Sequence, residues 1–185
     1  MGKLSKVLDI IMESIDLLEE GDRSFSCLML DIDNSILKDV LSVISGDDLH
    51  EEGKETDSHT TVKYGLHTKD NKEIFKFCEE WGKFPINVKL HNFSIFENEE
   101  YDVLKLEVSS KPLRDLNKKI CDEFEFTDSY QDYNPHTTLA YLKKGFGKVY
   151  VELLNEKFPN FNKEVSCSKL VFSTADYDKF TKTIK

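Results

Sequence analysis

The sequence predicts an α+β fold in which two mixed or antiparallel sheets form a central cleft with helices outside. A short phrase occurs twice, 77 positions apart, as His59–Tyr64 and as His136–Tyr141, and each copy is strand-like in composition. Runs with helical spacing of apolar residues alternate with strand-like runs along the chain. The neighbouring runs Ile86–Phe96 and Tyr101–Val108 are typical of a β-hairpin, which excludes a purely parallel sheet.

The first half of the chain begins with apolar residues at helical spacing, which predict an amphipathic helix over residues 1–22 that serves core packing or a subunit contact. Phe25–Leu30 has the composition of a buried strand. Asp33 then suits the N-cap of a second helix. The polar, acidic segment Gly46–Ser58 is expected to be a loop before the first motif strand.

The second half begins with a predicted helix over Asn71–Trp81, which Gly82 ends. After the hairpin, Pro112 suits the first turn of another helix. The remaining expected elements are a turn over Asp132–Pro135, the second motif strand, a helix over Val149–Phe158, a strand over Val165–Phe172 and a frayed C-terminus.

Length and charge limit the possible functions. The chain has 185 residues and a net charge of −10, with a sequence pI near 5.0. Its length allows one domain, or two small lobes that share a core, over residues 23–185. The acidic charge argues against a binder of long DNA or RNA, because such binding is mainly phosphate neutralisation by Lys and Arg. A small nucleotide remains possible.

Cysteines and hydropathy indicate a cytoplasmic location. The four cysteines are widely spaced without a Cys-x-x-Cys pair, so reduced, buried thiols are expected. No run of about 18 apolar residues is present, which predicts no membrane span. Acidic residues interrupt the apolar positions of the N-terminus, unlike in a secretory signal.

The repeated phrase carries the candidate chemistry. Side chains two apart on a strand share a face, so one strand presents His59 with Thr61. The second copy presents His136 with Thr138 in the same way. If the strands face each other, one imidazole can remove a proton, the other can supply one, and the hydroxyls can hold phosphate oxygens. This set suits acid/base cleavage of a phosphodiester without a metal or another cofactor.

Four further residues are candidates for substrate binding. Lys63 is expected on the cleft face with His59, either offsetting substrate charge or solvated at the strand end. In regular strands Tyr64 and Tyr141 point away from the cleft face, where they either pack under a helix or reach the rim. Phe25 is a candidate for stacking on a base.

The remaining histidines do not predict a metal site. His50, His67 and His91 share no ligand spacing with the cysteines, so each is expected to be a surface or core residue.

With these two motifs the chain resembles the two-histidine phosphoesterase superfamily, whose hallmark is a pair of His-x-Thr strands at about this separation. The resemblance covers most of the chain from Phe25 to Ser173. It implies a bilobal fold with pseudo-two-fold symmetry. It also implies His59 and His136 as the acid/base pair, with the hydroxyls of Thr61 and Thr138 binding the phosphate. The middle residues Thr60 and Thr137, usually aliphatic in the superfamily, should point away from the cleft and change its packing only.

Several stretches are similar to a phage branch of this superfamily, the anti-CBASS phosphodiesterases that destroy cyclic oligonucleotide signals of the host. They are Phe25–Leu30, Val62–His67, Tyr101–Lys105 and Asn134–Tyr141. This resemblance implies substrates such as 3′,3′-cyclic GMP-AMP and a location in the host bacterial cytoplasm.

Three hypotheses follow. The first is a cyclic oligonucleotide phosphodiesterase. The second is a 2′,3′-cyclic or 2′–5′ phosphodiesterase that acts on RNA ends or oligoadenylate. The third is a protein that sequesters a nucleotide without cleaving it. The sequence leaves open which histidine is the base, which nucleobases are preferred and what the oligomeric state is.

Overall fold

The computed structural model describes residues 25–127 and 132–185. The helix expected over residues 1–22 lies outside the described residues. The described strands are Ser26–Asp31 (β1), Leu49–Lys54 (β2), His59–Leu66 (β3), Ile86–Glu97 (β4), Tyr101–Ser109 (β5), His136–Lys143 (β6), Asn162–Cys167 (β7), Lys169–Ser173 (β8) and Lys179–Thr183 (β9). The described α-helices are Lys38–Val43 (α1), Asn71–Trp81 (α2), Lys111–Glu123 (α3) and Phe146–Lys157 (α4).

The strands form two sheets, which confirms the predicted α+β class. One sheet has the order β3-β1-β8-β9, and the other has the order β2-β6-β5-β4-β7. Every strand pairing among the described residues is antiparallel. One cluster of buried side chains takes members from both sheets, among them Leu28 and Val62 from the first and Leu104 and Leu139 from the second. The two sheets therefore share a core.

The helices begin and end where local chemistry dictates. The Asp70 carboxylate accepts hydrogen bonds from the first turn of α2, and Gly82 ends that helix in the left-handed region at φ 67°. Ser110 Oγ caps α3 by accepting from Leu113 N at 3.2 Å. The buried Asp102 carboxylate accepts from two backbone amides at the start of α4, so that helix begins at Phe146 and not at Val149 as expected.

Three expectations about the elements are wrong. The segment Gly46–Ser58 is not only a loop: it contains a short 3-10 helix and β2, an edge strand without a fully buried residue. Val165–Phe172 is not one strand, because Ser168 separates β7 from β8 and the two lie in different sheets. The C-terminus is not frayed, because β9 pairs with β8 and Ile184 is buried.

No helix among residues 25–127 and 132–185 is long and apolar enough to cross a membrane.

Candidate functional site

The two motif strands meet through their middle residues. Thr60 on β3 and Thr137 on β6 are fully buried, and their hydroxyl oxygens lie 2.8 Å apart in a hydrogen bond. These residues point away from the cleft as expected, and the bond joins the two sheets at the centre of both motifs. The residues on either side of each threonine therefore emerge together on the opposite face.

That opposite face is one large cavity. His59, Thr61, His136 and Thr138 all line it, in a volume of about 1640 Å³. Drug-sized ligands occupy sites of about 300–1,000 Å³, so the cavity is larger than a mononucleotide needs. Both motif imidazoles therefore line a common cavity.

Each imidazole is held in the same way. His59 Nδ1 lies 2.8 Å from the carbonyl oxygen of Asp57, and His136 Nδ1 lies 3.1 Å from that of Asn134. A carbonyl only accepts, so each Nδ1 carries the proton and donates. In the neutral ring Nε2 then has the free lone pair, and in the charged ring it has a proton to give.

The environment of His136 favours the neutral ring. Burial lowers its pKa to about 4, and the charges of Lys105 and His59 act in the same direction. The hydrogen bond to the Asn134 carbonyl opposes them and raises the pKa, but the lowering effects are larger. His136 is therefore uncharged at neutral pH, with Nε2 available to accept a proton.

A β-bulge in each motif strand brings the tyrosines into the cavity. The register against β1 skips Val62, so Lys63 lies opposite Leu28 and Tyr64 lies opposite Cys27. The register of β6 against β5 skips Leu139 in the same way, and Tyr141 lies opposite Val103. A bulge adds one residue and reverses the alternation beyond it. The expectation that Tyr64 and Tyr141 point away from the cleft is therefore wrong, and both line the cavity.

Both bulges are held by hydrogen bonds from other elements. The carbonyl of Val62 accepts from Asn117 Nδ2 on α3 at 2.7 Å. The carbonyl of Leu139 accepts from the backbone amide of Glu55, just beyond β2, at 3.0 Å. The two halves thus satisfy equivalent carbonyl groups with donors from unrelated parts of the chain.

The bulge also changes the position of Lys63, which was expected on the same face as His59 and Thr61. Lys63 is 4% exposed, and its Nζ lies 3.8 Å from the centroid of the Phe126 ring. It contributes to the cavity wall, but its ammonium is directed to that ring and is not solvated at a strand end.

Phe25, the candidate for base stacking, does not line the cavity. Its ring stacks on His67 with centroids 5.2 Å apart and planes 17° apart. Antiparallel pairing explains the placement: the start of β1 lies beside Leu66, whereas the end of β1 lies beside His59. The two ends are separated by most of the length of β3, about 20 Å.

Lys105 and Tyr133 are among the cavity residues that the sequence did not single out as candidates. Lys105 lies on β5 opposite Thr138, and Tyr133 precedes the second motif. Tyr133 donates from its hydroxyl to the carbonyl of Thr61 at 2.6 Å, and burial raises the pKa of this phenol, so it stays protonated. The polar position of Lys105 within an alternating strand was the only available signal for it, and nothing local marks Tyr133.

The remaining histidines have separate surroundings. His67 contacts Thr127 Oγ1 at 2.9 Å, and the ring of His50 lies 4.7 Å from that of Tyr101. His91 lines the cavity 3.9 Å from Glu107. Within the described ranges, no group of three or more His, Cys, Asp or Glu side chains is arranged to hold a metal ion.

Comparison with known proteins agrees with this geometry. The family model of the 2′-5′ RNA ligase superfamily matches residues 54–176, which is more than half of the chain and contains both motifs. None of the curated proteins matches the chain. The chain thus belongs to the 2′-5′ RNA ligase superfamily, the two-histidine phosphoesterases, whose chemistry is the cleavage or joining of phosphodiester bonds.

Proposed function

We propose that the protein is a metal-independent phosphodiesterase that opens cyclic di- and trinucleotide signals such as 3′,3′-cyclic GMP-AMP, and so counters CBASS antiphage defence. The supporting observation is the convergence of two matched His/Thr pairs on one cavity, joined behind the site by the bond between Thr60 and Thr137. The size of the cavity suits a substrate with more than one nucleotide. The net charge of −10 favours a small ligand over long RNA.

In this mechanism His136 is the base. Its Nε2 removes the proton of a ribose 2′-hydroxyl, whose oxygen then attacks the adjacent phosphorus. The hydroxyls of Thr61 and Thr138 donate to the phosphate oxygens as negative charge develops on them. His59, as the acid, protonates the 5′-oxygen when its bond to phosphorus breaks.

The products are a 5′-hydroxyl and a 2′,3′-cyclic phosphate on a linear chain. Attack by water, with the proton transfers reversed, opens the cyclic phosphate to a 3′-terminal phosphate. Both steps use the same two imidazoles, and each positioned proton transfer typically contributes about 10²- to 10⁴-fold in rate.

Tyr64 and Tyr141 are the proposed contacts for the nucleosides. The bulges direct both side chains into the same cavity as the histidines, on matched positions of the two motif strands. Aromatic rings of this kind bind bases by stacking, largely without regard to base identity.

A second candidate function keeps the same chemistry with another substrate. The name of the matching superfamily refers to 2′-5′ RNA linkages, which favours a 2′,3′-cyclic or 2′–5′ phosphodiesterase acting on RNA ends or oligoadenylate. The two candidates differ in whether the natural substrate is a ring.

Product analysis separates these candidates. The wild-type protein and the His136→Ala variant are incubated in EDTA with a panel of cyclic dinucleotides, 2′–5′ oligoadenylate and a 2′,3′-cyclic-ended RNA. We expect wild type to linearise cyclic dinucleotides and His136→Ala to leave them intact. A 2′-deoxy substitution at the scissile position should block the reaction. Cleavage of the deoxy substrate at the same rate contradicts the mechanism, and turnover of the RNA ends alone favours the second candidate.

Binding without cleavage would support a protein that sequesters its nucleotide. In that case His136→Ala weakens binding and no product accumulates with either protein.

A further inference from the structure

Lys105 is placed at the reacting end of the cavity. It lies on β5 directly opposite Thr138, two positions along the strands from the pair of Glu107 and His136. Its side chain lines the cavity, although only 8% of the residue is exposed. A lysine this buried is rare unless its charge interacts with an anion or with the face of an aromatic ring.

Phe96 orients this ammonium beside the histidine. Lys105 Nζ lies 4.0 Å from the centroid of the Phe96 ring, and the same ring meets His136 edge to face with centroids 5.0 Å apart. The charge of Lys105 contributes to the lowered pKa of His136, which is consistent with their proximity.

The first half of the site has no cation at the equivalent position. There Met29 lies opposite Thr61, whereas Lys105 lies opposite Thr138 in the second half. The neighbouring rows correspond more closely, since a carboxylate residue lies opposite each histidine: Asp31 opposite His59 and Glu107 opposite His136. The two halves of the site therefore differ in charge at the residue opposite the second threonine of each motif: it is neutral opposite Thr61 and positive opposite Thr138.

We propose that Lys105 binds a non-bridging oxygen of the scissile phosphate together with Thr138 and, by doing so, places the attacking ribose beside His136 and the leaving 5′-oxygen beside His59. The inference rests on the proposed function, and it adds the residue that fixes the direction of the substrate in a nearly symmetric cleft. An ammonium acts here as a point charge whose attraction grows as charge accumulates on the phosphate oxygens.

Several charged and titratable groups line the same cavity as His136 and Lys105. Lys105 and Glu107 come from β5, His91 from β4, His59 from β3, Arg114 from α3 and Lys148 from α4; these six side chains line the cavity. The other charged residues of the cavity wall are Asp31, Glu55, Asp57, Lys63, Glu97, Asp132, Glu152, Lys169 and Lys179. Of these groups, Lys105 and His59 are the two whose charges contribute to the lowered pKa of His136, and the contribution of Lys105 is the larger.

The test compares Lys105→Met and Lys105→Arg with wild type. Methionine is the residue at the equivalent position of the first half, and arginine keeps the charge. We expect Lys105→Met to lower kcat/KM by about 10- to 100-fold, as for the loss of a hydrogen bond to a charged group, and Lys105→Arg to restore much of it. Lys182→Met is the control, since it removes one charge outside the cavity at a residue paired with Glu79.

The pH profile separates electrostatic action from packing. Without the Lys105 charge His136 protonates more readily, so the acidic limb of kcat/KM moves to higher pH in Lys105→Met. It stays near its wild-type position in Lys105→Arg and Lys182→Met. If Lys105→Met does not fold, as judged by circular dichroism, Lys105→Gln serves as the neutral variant.

A binding measurement keeps this inference distinct from the proposed function. Inorganic phosphate is titrated into wild type and Lys105→Met by calorimetry, with no turnover required. Weaker binding in Lys105→Met supports the role of Lys105 even if wild type cleaves no cyclic nucleotide. Unchanged phosphate binding, unchanged kcat/KM or an unmoved acidic limb in the neutral variant overturns it, even if wild type is an active phosphodiesterase.

Discussion

The buried hydrogen bond between Thr60 and Thr137 predicts a specific pattern of stability. In Thr60→Val the bond is lost, and the Thr137 hydroxyl stays fully buried with its partner replaced by a methyl group. A buried polar group left without its partner costs about 1–3 kcal/mol of the free energy of unfolding. For a chain of this size that corresponds to a fall in Tm of about 2–12 °C. Thr137→Val should behave in the same way.

The double variant is the informative one. Replacing both hydroxyls by methyl groups leaves no orphaned polar atom, so Thr60→Val/Thr137→Val should be less destabilised than the sum of the single variants by about 1–3 kcal/mol. Urea unfolding of wild type, the two single variants and the double variant measures this coupling. The value of kcat for the same samples shows whether the two histidines remain in their working positions. If the effects of the single variants add within about 0.5 kcal/mol, the two motif strands are not joined through this bond.

Three further predictions concern the frame around the site. Tyr133→Phe removes the hydrogen bond to the Thr61 carbonyl, so stability should fall by about 1 kcal/mol in urea unfolding and kcat should fall more than KM changes. An intact kcat would contradict a positioning role. The pKa of His136 is lowered in the folded protein to about 4 from 6.5, so the unfolded chain binds more protons between these pH values. The free energy of unfolding should therefore fall on acidification through that window, and less so in His136→Asn. Gly65 and Gly53 both have a positive φ, of 83° and 74°, which disfavours alanine at either position. The added Cβ of Gly65→Ala also clashes with a neighbouring backbone carbonyl, whereas that of Gly53→Ala projects into open space. Urea unfolding should show a larger loss for Gly65→Ala by at least about 1 kcal/mol, and equal losses would be inconsistent with the packing.

The repeated phrase was sufficient to predict the main features of the site. Side chains two apart on a strand share a face by geometry, and this alone places His59 with Thr61 and His136 with Thr138. The sequence placed both pairs in one cavity on the single assumption that the two motif strands face each other. The occurrence of one pattern in two copies suggested that assumption. The buried middle threonines followed from the same alternation, but their mutual hydrogen bond did not, because it depends on how the sheets approach each other.

The tyrosines show where alternation fails. A bulge is set by the pairing partner and by the group that satisfies the freed carbonyl, and neither is local in sequence: Asn117 is 55 residues from Val62. Both copies place the tyrosine five residues after the histidine, which shows that the two side chains occupy matching positions but does not show a bulge.

The sequence also did not show which sheet each strand joins. The buried apolar positions change phase between Cys167 and Leu170, where the chain passes from β7 in one sheet to β8 in the other. The pattern of a strand reports that one face is buried and not which sheet buries it. Strand β2 was not predicted because this edge strand has no fully buried residue, so no alternation of apolar side chains marks it.

The most direct test of two imidazoles acting on one phosphorus is a double-variant cycle on the histidines. We measure kcat/KM on 3′,3′-cyclic GMP-AMP in EDTA for wild type, His59→Ala, His136→Ala and the double variant. Residues that act as one unit are strongly non-additive, so each single variant should lose about 10²- to 10⁴-fold and the double variant little more. Losses that multiply in the double variant, or a single variant that keeps nearly full activity, would show that the two histidines do not work on the same phosphate.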